Sequence, residues 1–202
     1  MLDRGNFDHF ADSLEGCFRL RHEIFVKERG WQQFAQNGKY ERDKFDDDNA
    51  SYLLAIEDDG AVVGCFRLIP TLLPHLFSEV FPHFIEGDVP RSGNLIELSR
   101  VAIAKNQRGT RVYYELFAGL QEYCLERNIT GVTALMKTLR MPIVQNAGMK
   151  ITPLGLPREM DGESLTAIML DISEDILSRV RKSGGISGSV MEATVLADRM
   201  IA

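Results

Sequence analysis

Residues 94–104, NLIELSRVAIA, constrain the fold more than any other stretch of the chain. In an extended segment successive side chains point to opposite faces, and here both faces are apolar. Such a strand belongs in the middle of a sheet covered on both sides, which restricts the chain to layered α/β architectures. The segments that follow fit. KNQRGT leads into the clearest helical pattern, VYYELFAGLQEYCLERN. ITGVTALM reads as a buried strand, TLRMPIVQNAG as a short helix with Pro142 ending at Gly148, and SLTAIMLDIS as another strand. Ser173 can cap a last helix, EDILSRVRK. Upstream, residues 13–29 carry a 3.6-residue period with Leu14, Phe18 and Phe25 on one line, closed by Gly30. Residues 51–70 predict a hairpin across a DDG turn, and residues 71–93 are too punctuated by Pro and Phe for a long element. The expectation is an α/β fold, a single-domain three-layer sandwich on a mixed central sheet over residues 1–202, with a flexible tail from about residue 183.

Composition removes several function classes. With 45% hydrophobic and 26% charged residues the chain can bury a core of its own, and a net charge of −6 disfavours nucleic acid as the main partner. Cys17, Cys65 and Cys124 are an odd number, far apart, each in apolar surroundings, so they read as reduced core thiols. No apolar run approaches a membrane span, and the N-terminus lacks the apolar middle of a signal peptide; the expectation is a soluble cytoplasmic protein. His9, His22, His75 and His83 show no ligand spacing, so no metal site is expected.

Four charged residues sit in apolar elements. Arg21 interrupts the apolar arc between Phe18 and Phe25, Arg67 shares a strand face with Val63, Cys65 and Ile69, and Glu97 and Arg100 lie inside the central strand. Unpaired charges there would be costly, so they either form an internal ion-pair network or line a polar cleft. Strict pleating sends Glu97 and Arg100 to opposite faces; a shared site needs a bulge or a splayed strand. The acidic run in YERDKFDDDNASYLL is no EF-hand loop, because the sixth position from Asp43 or Asp46 is not Gly. NQRGT before a helix suits an anionic phosphate or pantetheine group, and loosely resembles the acyl-CoA loop of GCN5-related N-acetyltransferases; a plain turn fits it equally. Phe25, Trp31, Phe81 and Phe84 either cup a flat ring or anchor the core.

LRHEIFVKERGW, ERDKFDDDNASYLL, GCFRLIPT, EVFP and IELSRVAI occur in this order and spacing. Together they closely resemble the acyl-homoserine-lactone synthases, the autoinducer synthases of bacterial quorum sensing, over roughly residues 14–175. The resemblance implies a fold akin to the GCN5-related N-acetyltransferases. It implies no permanently bound cofactor, S-adenosylmethionine as amine-supplying co-substrate, and an acyl carrier protein or acyl-CoA as thioester donor. The family's polar signature falls on Arg21, Glu41, Asp43, Asp46, Arg67, Glu97 and Arg100, and its aromatic positions on Phe25, Trp31 and Phe81. The threonine tied to acyl-chain choice falls on Thr133 or Thr138. The chemistry asks for a carboxylate to deprotonate the amine, for which Glu97 is the first choice, and for an arginine, Arg100 or Arg67, to hold the methionine carboxylate during ring closure. A carrier protein is acidic, so Arg108, Arg111, Lys137, Arg140 and Lys150 are its candidate docking residues. The competing readings are a generic acyl-CoA-dependent N-acyltransferase and a binding module whose charges are only structural.

Overall fold

In the computed structural model, which describes residues 1–191, the doubly apolar segment is indeed a strand at the centre of a sheet. The chain begins with α1 (Ala11–Arg21), which runs on as a π-helical segment, His22–Glu28. A small ribbon of β1 (Ala35–Gln36) and β2 (Tyr40–Glu41) precedes the hairpin β3 (Ser51–Ile56) and β4 (Val62–Pro70). Then come α2 (Leu76–Glu79), β5 (Leu95–Ile103), α3 (Val112–Glu126), β6 (Gly131–Lys137) and α4 (Met141–Asn146). The chain continues through β7 (Ile151–Pro153), β8 (Arg158–Met160), β9 (Glu163–Asp171) and α5 (Glu174–Gly184), the last capped by Ser173, whose hydroxyl accepts from the Ile176 N–H.

The main sheet has the order β3-β4-β5-β6-β9-β7, with β8 also paired to β9. All pairs are antiparallel except β5–β6. Alternation sorts the side chains. Phe66, Leu68, Ile96, Leu98, Val132, Ala134, Ile168 and Leu170 pack with Leu116, Leu120, Ile176 and Val180 of α3 and α5 in the main core. Cys65 and Ala102 turn the other way, into a second cluster with Cys17, Phe18 and Phe25. The result is three layers around a mixed sheet. No helix among the described residues is long and apolar enough to cross a membrane.

Two irregularities in the sheet prepare the site. Cys65 faces Ala102 but Arg67 faces Ser99, so Phe66 opposes two residues, Arg100 and Val101. This is a β-bulge, and Arg100 takes φ 49°, a left-handed conformation uncommon for a residue with a side chain. The second concerns β5 and β6, which pair only over Leu95–Leu98 and Gly131–Ala134, although β5 continues to Ile103 and β6 to Lys137. Beyond those residues the parallel pair opens.

Three expectations need correction. The helix predicted for residues 13–29 is α-helical only to Arg21 and π-helical afterwards. The wider turn lets Arg21 and Phe25 face inward while His22, Ile24 and Val26 are buried as well. β7 and β8 were not foreseen, because three-residue strands carry no readable period and exist by pairing with β9. Residues 185–191, assigned to the flexible tail, hold Ile186 and Met191 in the main core, and the Val190 N–H donates to Glu122. The rest of that tail lies outside the described residues. Phe66 is fully buried opposite the bulge and packs edge-on to Phe117 with ring centroids 5.3 Å apart. Truncating it leaves a cavity under the bulge, so Phe66→Ala should lower unfolding free energy by about 3–5 kcal/mol in urea titrations.

Candidate active site

The charged residues singled out in the sequence come together on the α1 face of the sheet. Arg21 leaves the end of α1, Arg67 stands on β4, Arg100 on the bulge of β5, and Glu41, Asp43 and Asp46 come from β2 and the loop behind it. Arg21 donates a two-pronged bond to Asp46 at 2.6 and 2.7 Å, and its Nε donates to Glu41 at 2.6 Å. Arg100 donates to the other oxygen of Glu41 at 2.9 Å and to Asp43 at 2.6 Å. Arg67 grips Asp43 at 2.6 and 3.1 Å and reaches Asp46 at 3.1 Å. The six groups close into a ring of alternating sign, Arg21–Glu41–Arg100–Asp43–Arg67–Asp46, with no net charge.

The ring is buried, and the side chains of Arg21, Arg67, Glu41 and Asp46 are wholly inaccessible. Its electrostatics follow from who faces whom. Burial pushes the Asp46 carboxyl up, but Arg21 and Arg67 outweigh it and hold its pKa well below the usual carboxylate range. Tyr52 adds a hydroxyl bond to Asp46 at 2.9 Å, and burial beside that carboxylate pushes its own pKa up. Burial likewise opposes the charge on Arg21, yet Asp46 and Glu41 raise its pKa above the ordinary value. Arg100 differs. Burial exceeds the help from Glu41 and Asp43, with Arg67 and Arg21 opposing, so its pKa is lowered. It is the guanidinium least well compensated.

The acidic stretch divides as its surroundings dictate. Asp47 and Asp48 are exposed, with Asp47 accepting from the Asn49 N–H in a local turn. Asp43 and Asp46 point into the ring, tied to each other by the Asp43 N–H donating to Asp46 at 2.8 Å.

Glu97 does not join the arginines. Its two carboxylate oxygens accept from the backbone N–H groups of Leu76 and Phe77, each at 2.8 Å. Burial is the largest influence and pushes its pKa up to about 7, against the two N–H groups and the more distant Arg67, which favour the charged form. The bulge resolves the pleating problem: Glu97, Ser99 and Arg100 end on one face, and Ser99 accepts from Arg67 Nε at 3.0 Å. Thr133 lies opposite Glu97 in the register of β5 and β6 and is buried.

The aromatic positions fall into two places. Phe25 and Trp31 stack at 5.0 Å, and the Arg100 guanidinium stands 5.6, 5.3 and 5.0 Å from the rings of Phe25, Trp31 and Phe34. Phe81 and Phe84 belong instead to a separate apolar cluster with Phe77, Leu135, Ala167 and Leu165. Thr138 is bonded to Thr166 and Ser164, and Thr166 alternates onto the side of Ile168 and Leu170, away from Thr133. Four of the expected docking cations are paired with carboxylates. Arg108 pairs with Glu28, Arg111 with Glu115, Lys137 with Glu163 and Lys150 with Asp171. In the β6–β9 register Lys137 lies across from Leu165 and Gly131 from Asp171, so Lys150 is at the opposite end of the strand from Lys137. Sequence reasoning passed over Phe34, Tyr52 and Ser99. Ordinary aromatic and serine residues give no signal until a partner stands beside them.

The mixed sheet with its parted parallel strand pair has the fold of the N-acetyltransferases. An N-acetyltransferase structure from Lactobacillus plantarum shares the fold at 17% identity, with a TM-score of 0.58, covering 81% of this chain and 93% of that one. The family is narrower: the autoinducer synthase profile matches residues 8–180, and the chain belongs to that family, the acyl-homoserine-lactone synthases. It is 37% identical over 185 residues to the isovaleryl-homoserine lactone synthase of Bradyrhizobium diazoefficiens, covering 91% of this chain and 84% of that one. It is 36% identical to BjaI, described as a CoA-dependent acyl-homoserine lactone synthase and solved with SAM and isopentyl-CoA; the TM-score is 0.87, with 93% and 89% of the two chains covered.

Removing one member of the ring strands its neighbours. Asp46→Asn should cost about 3–5 kcal/mol at neutral pH, as expected for breaking a buried ion pair. The pKa of Asp46 is lower folded than unfolded. Its contribution is therefore complete above the ordinary carboxylate value of about 4 and is lost as pH falls below it. Urea unfolding across pH 2–7 should show a wild-type advantage that shrinks toward acid; a constant difference would put the Asn effect in packing instead.

Proposed function

We infer that the chain joins an acyl group from acyl-CoA to the amine of S-adenosylmethionine and then closes the lactone, releasing methylthioadenosine. The observation that carries this reading is Glu97, a buried carboxyl with a pKa near 7 on the face where β5 and β6 open. The donor amine must be neutral to attack a thioester. A carboxylate half-ionised at neutral pH is matched to take its proton, and the bonds from Leu76 and Phe77 fix its direction. The amide C–N bond forms as the thiolate leaves. Backbone N–H groups of β5 past Leu98, where β6 no longer pairs, are suited to receive the developing oxyanion.

Ring closure needs the methionine carboxylate to attack the carbon bearing the sulfonium, breaking the C–S bond. Arg100 is suited to hold that carboxylate, since it is the guanidinium its own ring compensates least. The rings of Phe25, Trp31 and Phe34 already hold the Arg100 guanidinium, and so are suited to fix its direction toward that carboxylate. Because Glu41, Asp43 and Asp46 are already paired with arginines, their role is to fix Arg21, Arg67 and Arg100 in place. Thr133 and the cluster around Phe77, Phe81 and Phe84, on the Glu97 face, are suited to line the acyl chain.

CoA is preferred over a carrier protein as donor for two reasons. A relative covering most of the chain is described as CoA-dependent. Of the five cations expected to receive a carrier, Lys150 stands at the opposite end of β6 from Lys137, and Arg108, Arg111, Lys137 and Lys150 are each already paired with a carboxylate. Incubation with S-adenosylmethionine and isovaleryl-CoA, in parallel with the isovaleryl carrier protein, should give isovaleryl-homoserine lactone and methylthioadenosine by mass spectrometry, with higher kcat/KM for CoA. An acylated product without methylthioadenosine would instead mark a generic N-acyltransferase. The raised pKa of Glu97 leaves it protonated and inactive below about 7, so the rate should climb through that pH. Glu97→Gln should lower kcat by about 100-fold or more and abolish that inflection; a wild-type pH profile in the variant would remove Glu97 as the base.

A further inference from the structure

Glu97 takes both of its hydrogen bonds from a helix too short to stand by itself. α2 is a single turn, Leu76–Glu79, and an isolated turn is unstable in water because nucleation fixes several residues for one bond. Three contacts hold it in place. Phe77 is buried in the cluster with Phe84, Ile85 and Ala167. At the far end Glu79 accepts from Lys44 Nζ at 2.8 Å, an exposed pair of small worth. At the near end the Ser78 hydroxyl reaches back over the turn. Its Oγ accepts from the His75 N–H at 2.9 Å and donates to the His75 carbonyl at 3.0 Å. The first two contacts fix where the turn lies. The third fixes how the chain enters it, aided by the buried His75 ring, whose Nδ1 donates to the Leu73 carbonyl at 2.8 Å.

The entry matters because the first N–H groups of a helix have no partner inside it. Here those of Leu76 and Phe77 are met from β5, one Glu97 oxygen on each at 2.8 Å. An ionised carboxyl accepts both bonds, whereas protonation turns one oxygen into a donor, so the two N–H groups favour the charged form. They also decide which lone pairs remain for an amine proton, so a turn rotated at its entry would re-aim the base. Arg67, from β4, is the charged side chain acting on Glu97 across the sheet, and Thr133 faces it from β6. On α2 and its cap, burial holds His75 below its ordinary pKa, which leaves it neutral near pH 7, and Lys44 keeps Glu79 ionised.

We propose that Ser78 is a positioning residue for Glu97: its hydroxyl fixes the entry of α2 so that the Leu76 and Phe77 N–H groups hold both carboxylate oxygens in the direction proton removal needs. This role rests on the reading of Glu97 as the base, so the carboxyl is followed directly as well as through turnover. Carbon-13 NMR of the glutamate carboxyl carbons, with Glu97→Gln to assign the signal, is recorded against pH for wild type, Ser78→Ala, Ser78→Thr and Ser78→Val. The pH–rate profile of each is measured beside it with S-adenosylmethionine and isovaleryl-CoA. Ser78→Ala and Ser78→Val should move the Glu97 titration upward from about 7. The expected shift is about one pH unit, tenfold in the ionisation constant, on the scale of a weakened charged hydrogen bond. Ser78→Thr should keep the wild-type midpoint, and the rate inflection should follow the carboxyl in every variant. Thr and Val are equal in shape, so that pair isolates the hydroxyl even where Ser78→Ala disturbs the turn. An unmoved Glu97 titration in Ser78→Val, or the same shift in Ser78→Thr, overturns the proposal, as does a rate lowered equally at every pH. A carboxyl titration that moves while the rate inflection stays would remove Glu97 as the base and leave this positioning role standing.

Discussion

Six charges are buried on one face of the sheet, and the fold tolerates them only because they alternate. Each guanidinium of Arg21, Arg67 and Arg100 meets two carboxylates, and each carboxylate meets two guanidiniums. Desolvating any one alone would cost several kcal/mol, so the ring is stable as a closed set and weak as a collection of pairs. The members come from α1, β2 and its following loop, β4 and β5. Closing the ring therefore fixes four distant segments relative to one another, including the π-helical segment that continues α1 and carries Phe25.

The second constraint is the bulge in β5. Without it, pleating would separate Glu97 from Arg100, and the ring could not close on the face that holds the carboxyl of Glu97. The bulge requires Arg100 to adopt φ 49°, a strain that its ion pairs to Glu41 and Asp43 offset. Downstream the same strand loses β6, leaving backbone groups beside Glu97 unpaired by the sheet. Ring, bulge and strand opening thus bring a carboxyl of raised pKa, an under-compensated arginine and free backbone to one place. In the proposed reaction these serve proton removal, carboxylate placement and oxyanion binding.

Much of this was legible in the sequence. Long elements announced themselves by period, and Arg21, Arg67, Glu97 and Arg100 stood out because a charge inside an apolar pattern demands a partner. The short strands β7 and β8 were not legible, since three residues hold no period. The π-helical segment after Arg21 was hidden because an apolar arc with one extra residue per turn still looks α-helical over a few positions. Phe81 carries the same ring as Phe25, yet it packs with Phe77 and Phe84 in another cluster. Lys150 is as basic as Lys137 but lies at the other end of β6 and β9.

The sequence alone determined which residues had to be buried and which charges needed counter-charges, because those requirements follow from solvation and apply wherever the chain goes. It also carried the family, through five motifs in fixed order. Only the tertiary structure decided how the charges were matched. Arg21 went to Glu41 and Asp46, Arg100 to Glu41 and Asp43, and Glu97 to backbone N–H groups at the start of α2. Partner choice depends on which segments meet in space and at what angle, and that geometry is set by sheet register, a single bulge and a widened helical turn rather than by any local pattern of residues.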